Sequence, residues 1–317
     1  MILAGIDIGT NTLRLLVAET GPHSFRALHS DRKITRLGQD LERTGRFSPE
    51  AEERSLHALL DFSKSIRRHA AAHVAAVGTS AFRRAANAAE YVIAIRKRTG
   101  LAIRIISGEE EARLTLLGVA NALKGYGKRE VDPLKSACVV DIGGGSTEII
   151  MTRHEDEPRI ISLPLGAVYL TERFIKHDPP MREEIELLRK TIKGVLKDGI
   201  GLVRPDPAGI FVGTAGTITT LAAVDQGLME YNPDKINRYI MAEKTIDDII
   251  ADLAAKKLEE RRTIPGLEKG REDIILAGSV IAREIMNCFG FSTVIVSDWG
   301  LREGIVMDMH AKLHQHI

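Results

Sequence analysis

Short apolar runs alternate with longer amphipathic stretches along this chain. MILAGIDIG, LRLLVAE, VAAVGTS, AIRIISG, SACVVDIG, STEIIMTR, RIISLPLG, AGIFVGTAG and TVIVSDWG are rich in Ile, Val and Leu and are bounded by polar residues or Gly. That pattern predicts β-strands. Between them apolar positions recur at helical spacing, predicting helices over about 86–98, 110–123, 181–200, 216–224, 244–260, 272–288 and 300–315. Another helix is predicted to start at Ser48, an N-cap residue followed by Pro49, whose missing N–H costs little at the first position. Alternating strands and helices predict an α/β protein.

The pattern repeats once. Residues 6–16 read IDIGTNTLRLL and residues 140–150 read VDIGGGSTEII. Asp7 aligns with Asp141, Gly9 with Gly143 and Thr12 with Ser146, at a constant offset of 134 residues. Each copy opens its half of the chain as strand, turn, strand, which is what duplicated domains facing one another across a cleft would show. The polar segment GYGKREVDPLKS (125–136) is the expected connection between the halves.

Composition narrows the picture. The 317 residues suit two domains, and 44% apolar with 27% charged residues is an ordinary globular balance. A net charge of +1 offers no global attraction to nucleic acid or to an anionic membrane, so an anionic partner must be held by a local site. Cys138 and Cys288 lie in apolar runs and are expected as buried thiols of a reducing cytosol, in neither a disulfide nor a zinc site. MILAGIDIGTN lacks a basic n-region and is expected to be neither a signal peptide nor an anchor. His69 and His73 are expected at i, i+4 on one helix, without the glutamate of a zinc protease.

The two turns carry the candidate chemistry. A strand that ends in Asp-x-Gly and turns straight into the next strand bares consecutive backbone N–H groups, a nest suited to phosphate oxygens. Glycines admit a positive φ and the close approach of a ligand. Thr10, Asn11 and Thr12 in the first loop, and Ser146 and Thr147 in the second, add side-chain donors. Asp7 and Asp141 would repel phosphate unless a cation lay between. Mg²⁺ suits this, and Glu148 is a further hard ligand. No P-loop motif occurs, and Glu148 stands where a dinucleotide fingerprint needs glycine. A plain hairpin turn is the alternative reading.

Two further stretches matter. In ISGEEEARL, Ser107 and Glu110 have capping-box spacing, which accounts for Glu109 and Glu110 at a helix start but leaves Glu111 unexplained. Glu111 is a candidate general base, or else pairs with Arg113 as a surface residue. In VGTSAFRRAAN, Arg83 and Arg84 are either phosphate ligands or solvated surface.

Together GIDIGTNTLRLLVAE, VGTSAFRRAAN, IISGEEEARL, VVDIGGGSTEII, SLPLGAVYLTERF, FVGTAGTITTLAA, IPGLEKGREDIILAGSVIAREIM and VSDWGLREGI resemble the exopolyphosphatase/guanosine pentaphosphate phosphohydrolase (Ppx/GppA) family over essentially the whole chain. The resemblance implies an α/β fold of two ribonuclease-H-like domains of the actin/sugar kinase/Hsp70 superfamily around a central cleft. The expected domains are 1–125 plus about 300–317, and 126–299. It implies Glu111 as catalytic base, with Asp141 alongside, and Arg83 rather than Arg84 as the phosphate-binding arginine. Asp141 and Glu148, with Asp7, would hold Mg²⁺ or another divalent cation. Gly9, Thr10, Asn11 and Thr12, and Gly143, Gly144, Gly145, Ser146 and Thr147, would form the two phosphate loops.

The expected activity is cytoplasmic, Mg²⁺-dependent release of terminal phosphate from inorganic polyphosphate. Hydrolysis of guanosine pentaphosphate and a non-catalytic nucleotide sensor are the alternatives. No nucleic acid or membrane partner is expected, and a homodimer is left open. The segment between Glu111 and Asp141 is longer than the family pattern, and no helical domain follows the second domain, so a weaker grip on long chains is expected.

Overall fold

Two sheets carry the chain, one in a unit formed by residues 1–118 and 300–317, the other in residues 119–299. The computed structural model describes residues 1–22, 24–124, 133–154, 156–201, 205–206 and 209–314. In the first unit, β1 (Ile2–Ile8), β2 (Thr12–Gly21) and β3 (Ser24–Ile34) form an antiparallel meander, and β4 (His73–Gly78) and β5 (Ile103–Ile105) add in parallel beside β1. The strand order is β3-β2-β1-β4-β5. Helices α1 (Leu41–Thr44), α2 (Pro49–Arg68), α3 (Ser80–Arg84), α4 (Ala88–Thr99) and α5 (Gly108–Ala122) follow these strands.

The second unit repeats the plan. β6 (Ser136–Ile142), β7 (Thr147–Arg153) and β8 (Arg159–Leu163) form the meander. β9 (Ile210–Thr214) then joins in parallel, β10 (Ile240–Ala242) forms an extra antiparallel edge, and β11 (Thr293–Val296) pairs in parallel with β9. The order β10-β11-β9-β6-β7-β8 matches that of the first sheet once β10 is set aside. Each unit is thus ribonuclease-H-like, as expected. Its helices are α6 (Ala167–Phe174), α7 (Arg182–Ile200), α8 (Ala215–Asp225), α9 (Pro233–Ile236), α10 (Glu243–Ala255), α11 (Leu258–Arg261) and α12 (Ile275–Phe289). The last helix, α13 (Leu301–His314), belongs to the first unit.

Alternation along β1 sorts its side chains by face. Ala4, Ile6 and Ile8 join the core with Leu56, Leu59 and Phe62 of α2, each of which contributes roughly 1.5–3 kcal/mol by burial. As expected, α2 starts with the Ser48 hydroxyl accepting from Ala51 N (3.2 Å) and Pro49 in the first turn. On the opposite face Leu3 packs with Val306 of α13, and Gly5 is required there because a Cβ would lie 2.8 Å from the Val306 side chain. Asp7 continues this second face.

Several expectations are corrected. β3 is absent from the predicted strands: its residues are polar or half-exposed on both sides, the usual dress of an edge strand, so the period-2 signal is lost. α6 and the three-residue β10 are likewise additions to the predicted elements. The helix predicted over about 244–260 breaks at Lys256, which is extended and separates α10 from α11. His69 caps α2 and His73 opens β4, so they do not share a helix. Cys138 is buried as expected, but Cys288 is exposed near the end of α12. The division between units falls at 118/119, within α5, rather than at the expected 125/126. Most of the expected linker, 125–132, lies outside the described residues. Among the described residues no helix is long and apolar enough to cross a membrane.

In the first unit, α5 and the start of α13 meet backbone to backbone. A Cβ on Gly118 would fall 2.1 Å from Gly300 O, and one on Gly304 would fall 1.8 Å from Leu114 O. No side-chain rotation relieves a clash with a carbonyl, so the helices must separate. Gly304→Ala is therefore expected to cost about 1–3 kcal/mol, the usual overpacking penalty. Urea denaturation checks this, and an unchanged midpoint would refute the close crossing.

Candidate active site

The two turns have the same internal geometry. Gly9 N donates to Thr12 O at 3.1 Å in the first, and Gly143 N to Ser146 O at 3.0 Å in the second. Each is also braced by the segment that follows its unit's third strand. Thr35 N and Arg36 N donate to Asn11 O (3.0 and 2.9 Å), and Gly38 N donates to Thr10 O (2.8 Å). In the second unit Ala167 N donates to Gly143 O (3.0 Å), while Val168 N and Tyr169 N donate to Gly144 O (2.9 and 3.2 Å). In a trans peptide the C=O and N–H point in opposite directions. Tying down the carbonyls of 10, 11, 143 and 144 therefore turns the N–H groups of Asn11, Thr12, Gly144 and Gly145 to the other side. A nest of the kind expected from the sequence would form on that side.

The positive φ expected of the loop glycines is not found. Gly9, Gly143, Gly144 and Gly145 do not have positive φ; among the described residues such glycines lie elsewhere, for example Gly45, Gly100 and Gly290. Close approach is what requires glycine, and it does so in the braces. A Cβ on Gly38 would lie 2.2 Å from Thr10 Cγ2, and one on Gly166 would lie 2.3 Å from Gly144 O. These two glycines are not among the predicted site residues, yet the sequence holds their signal: each follows a fully buried leucine, Leu37 or Leu165, beyond its third strand.

Thr10, Asn11, Thr12, Ser146 and Thr147 are all buried. Thr147 does not offer its hydroxyl to a ligand as expected: it donates to Leu165 O at 2.5 Å, inside the unit. Asn11 Nδ2 lies 3.4 Å from Thr12 Oγ1.

The carboxylates differ between the units. Asp7 stands opposite Arg14 in the β1–β2 register, whereas Asp141 stands opposite Glu148 in the β6–β7 register. Asp141 and Glu148 are 8% and 1% exposed, and Glu148 Oε1 accepts from the Ser162 hydroxyl at 2.9 Å. Two carboxylates facing one another across a ladder repel. A hard divalent cation relieves this, and Mg²⁺ characteristically uses one or two carboxylates and completes its shell with water and phosphate oxygens. The donor set of the second unit fits that ion. Among the described residues no group of three or more His, Cys, Asp or Glu forms a closed protein cage.

The three glutamates that open α5 go separate ways. Glu109 pairs with Arg113 at 3.0 Å and Glu110 with Arg104 at 2.5 Å, both near the surface. The capping box is half formed: Glu110 N donates to Ser107 Oγ at 3.1 Å, while the Glu110 side chain goes to Arg104. Glu111 is 7% exposed and accepts from Arg83 Nη1 at 2.7 Å. The same nitrogen donates to Ile106 O at 2.9 Å, so two acceptors from consecutive segments hold the guanidinium. Arg84 instead pairs with Glu42 at the surface. Arg271 has no role that its sequence surroundings announce. It is buried, bonded to Glu268 (2.7 Å), and covers Gly216 at the start of α8.

Comparison with known proteins agrees with this architecture. The Ppx/GppA phosphatase family profile matches residues 16–313. Exopolyphosphatase 2 of Mycobacterium tuberculosis is 32% identical over 320 residues, covering 97% of this chain and 98% of that protein. The crystal structure of the Aquifex aeolicus Ppx/GppA family member is 34% identical with a TM-score of 0.80, covering 99% and 98%. An exopolyphosphatase structure from Cytophaga hutchinsonii is 26% identical with a TM-score of 0.87, covering 98% of both chains.

The contrast between adjacent arginines is testable. Arg83→Ala removes the guanidinium from a nearly buried carboxylate and is expected to cost about 1–3 kcal/mol in urea denaturation, part of it recovered by adding Glu111→Gln. Arg84→Ala, which breaks a surface pair, is expected to cost no more than about 1 kcal/mol. Equal costs for the two would contradict the arrangement.

Proposed function

The chain belongs to the Ppx/GppA phosphatase family, and from that premise we propose that it is an exopolyphosphatase that removes the terminal phosphate of inorganic polyphosphate by hydrolysis. The observation that carries this reading is the singular placement of Glu111. Of three consecutive glutamates it alone turns inward, onto an arginine anchored at a strand end, while its neighbours are paired at the surface.

Glu111 is assigned as the general base. It accepts a proton from water as the water oxygen bonds to the terminal phosphorus. The bridging P–O bond breaks, and orthophosphate and a chain one phosphate shorter leave. Arg83 orients Glu111 and supplies a fixed positive charge toward the phosphoryl oxygens. The N–H groups of the two loops bind anhydride oxygens, and their braces spare those groups from rearranging when charge develops. Asp141 and Glu148 are the proposed Mg²⁺ ligands. Asp7, faced in register by Arg14, is proposed in a lesser role. Bound there, Mg²⁺ would neutralise phosphate charge and polarise the phosphoryl group.

Orthophosphate release from short polyphosphate, long polyphosphate and guanosine pentaphosphate, each with and without Mg²⁺, tests the proposal. Turnover of polyphosphate that needs Mg²⁺ supports it. Turnover of guanosine pentaphosphate alone would transfer the same chemistry to the nucleotide substrate, and tight nucleotide binding without release would favour a sensor. Glu111→Gln is expected to fold normally and to lose about 10²–10⁴-fold in kcat. A near-normal rate would remove Glu111 from the mechanism.

A further inference from the structure

A cavity of about 380 Å³ lies in the second unit between α7 and α12. Its size is within the range of small-molecule sites, about 300–1,000 Å³. One wall is a single stripe of α7: Lys193, Leu196, Lys197 and Ile200 recur at helical spacing. The other wall is Glu284, Asn287 and Cys288, successive positions on one side of α12.

The wall chemistry is selective. Glu284 is 2% exposed, and its Oε1 accepts from Arg189 Nη1 at 2.5 Å. Its Oε2 is buried without a hydrogen bond, and Lys193 Nζ stands 3.5 Å away. Glu284 is thus ion-paired with both Arg189 and Lys193, and with Lys197 this wall carries three cations against one carboxylate. Leu196 and Ile200 offer apolar surface to the body of a ligand.

This cavity is remote from the phosphate loop of its unit. Cys288 neighbours Cys138, whose thiol is pushed up by burial first and then by Cys288 itself. Cys138 sits near the start of β6, whereas Gly143 follows its end. Five residues of extended strand separate them by roughly 16 Å.

We propose that the cavity between α7 and α12 is a second ligand site for a small organic anion. The anion lies against Lys193 and Lys197, and the carbon skeleton rests on Leu196 and Ile200. The site depends on neither the proposed reaction nor its metal.

Cys288 is a built-in reporter, since it lines the cavity, is exposed, and the only other cysteine is fully buried. The experiment follows the rate of Cys288 alkylation by iodoacetamide in the full chain, with Cys288→Ser giving the background from Cys138. Glycerol 3-phosphate and malate are the probes, one a phosphate monoester and the other a carboxylate. At about 10 mM, roughly ten times a millimolar Kd, at least one is expected to slow alkylation by about tenfold, and the responding probe identifies the anion class. The variant Lys193→Ala/Lys197→Ala, altered only at exposed positions, is expected to lose that protection. No slowing by either probe, or slowing that survives in the lysine variant, overturns the proposal.

Discussion

The first unit depends on where one guanidinium can reach. Arg83 lies in a helix of five residues directly after β4, and it donates both to the carbonyl of Ile106, just past β5, and to Glu111 on the first turn of α5. Two strand ends and a helix start are thereby fixed to one planar group. A lysine could supply the charge but not the fixed planar geometry in which Nη1 directs one N–H to each acceptor. The anchorage works only if the axis of α5 is itself fixed, which the glycine crossing with α13 accomplishes. Glu111 is therefore positioned from both ends: locally by Arg83, and along the helix by a backbone contact that tolerates no side chain.

The two units show how a duplicated frame diverges. The strand order, the turn closed from Gly to the residue three later, and the glycine-permitted brace are common to both. Those features orient the loop peptides, and they come from backbone bonding, so both copies keep them. What differs is the side chain facing the aspartate: Arg14 in one unit and Glu148 in the other. This charge reversal at equivalent positions sets an arginine in register with one aspartate and a carboxylate in register with the other, and under the proposed function the second is the cation site. The frame supplies the braced turn twice, and the substitution supplies the asymmetry.

Much of this is legible in the order of residues alone. The echo of IDIGTNTLRLL in VDIGGGSTEII identifies both loops, because a strand-turn-strand motif is local and its register follows from the apolar alternation. α2 announces itself through Ser48 and Pro49. β3 is illegible because an edge strand has no buried face to impose a period, and α6 because eight residues carry too little periodicity. The braces through Gly38 and Gly166 join segments distant in sequence, so neither turn reveals them alone. The partner of Glu111 is hidden for the same reason: Arg113 lies at helical spacing nearby, but Arg83 arrives from another element. The Thr147 hydroxyl reads as a ligand donor because no local signal shows that Leu165 O claims its proton.

Placing Asp141 opposite Glu148 is an expensive choice for a fold. At a cross-strand spacing of ~5 Å and an effective dielectric of about 20, two carboxylate charges repel by roughly 3 kcal/mol. That is a sizeable share of the 5–15 kcal/mol by which a domain is typically stable. The second unit can tolerate it because its apolar cluster is extensive, running from β6 through α8 and α12 to β11, with Val140, Leu221, Leu276 and Val294 all fully buried. A structure selected for stability alone would place an arginine at 148, as the first unit does at 14. The retained like-charge pair is the kind of local inconsistency that marks a working site, where further compensation arrives with the ligand. Under the proposed function, then, the second turn is the one tuned to an incoming cation, while the aspartate of the first faces an arginine in register.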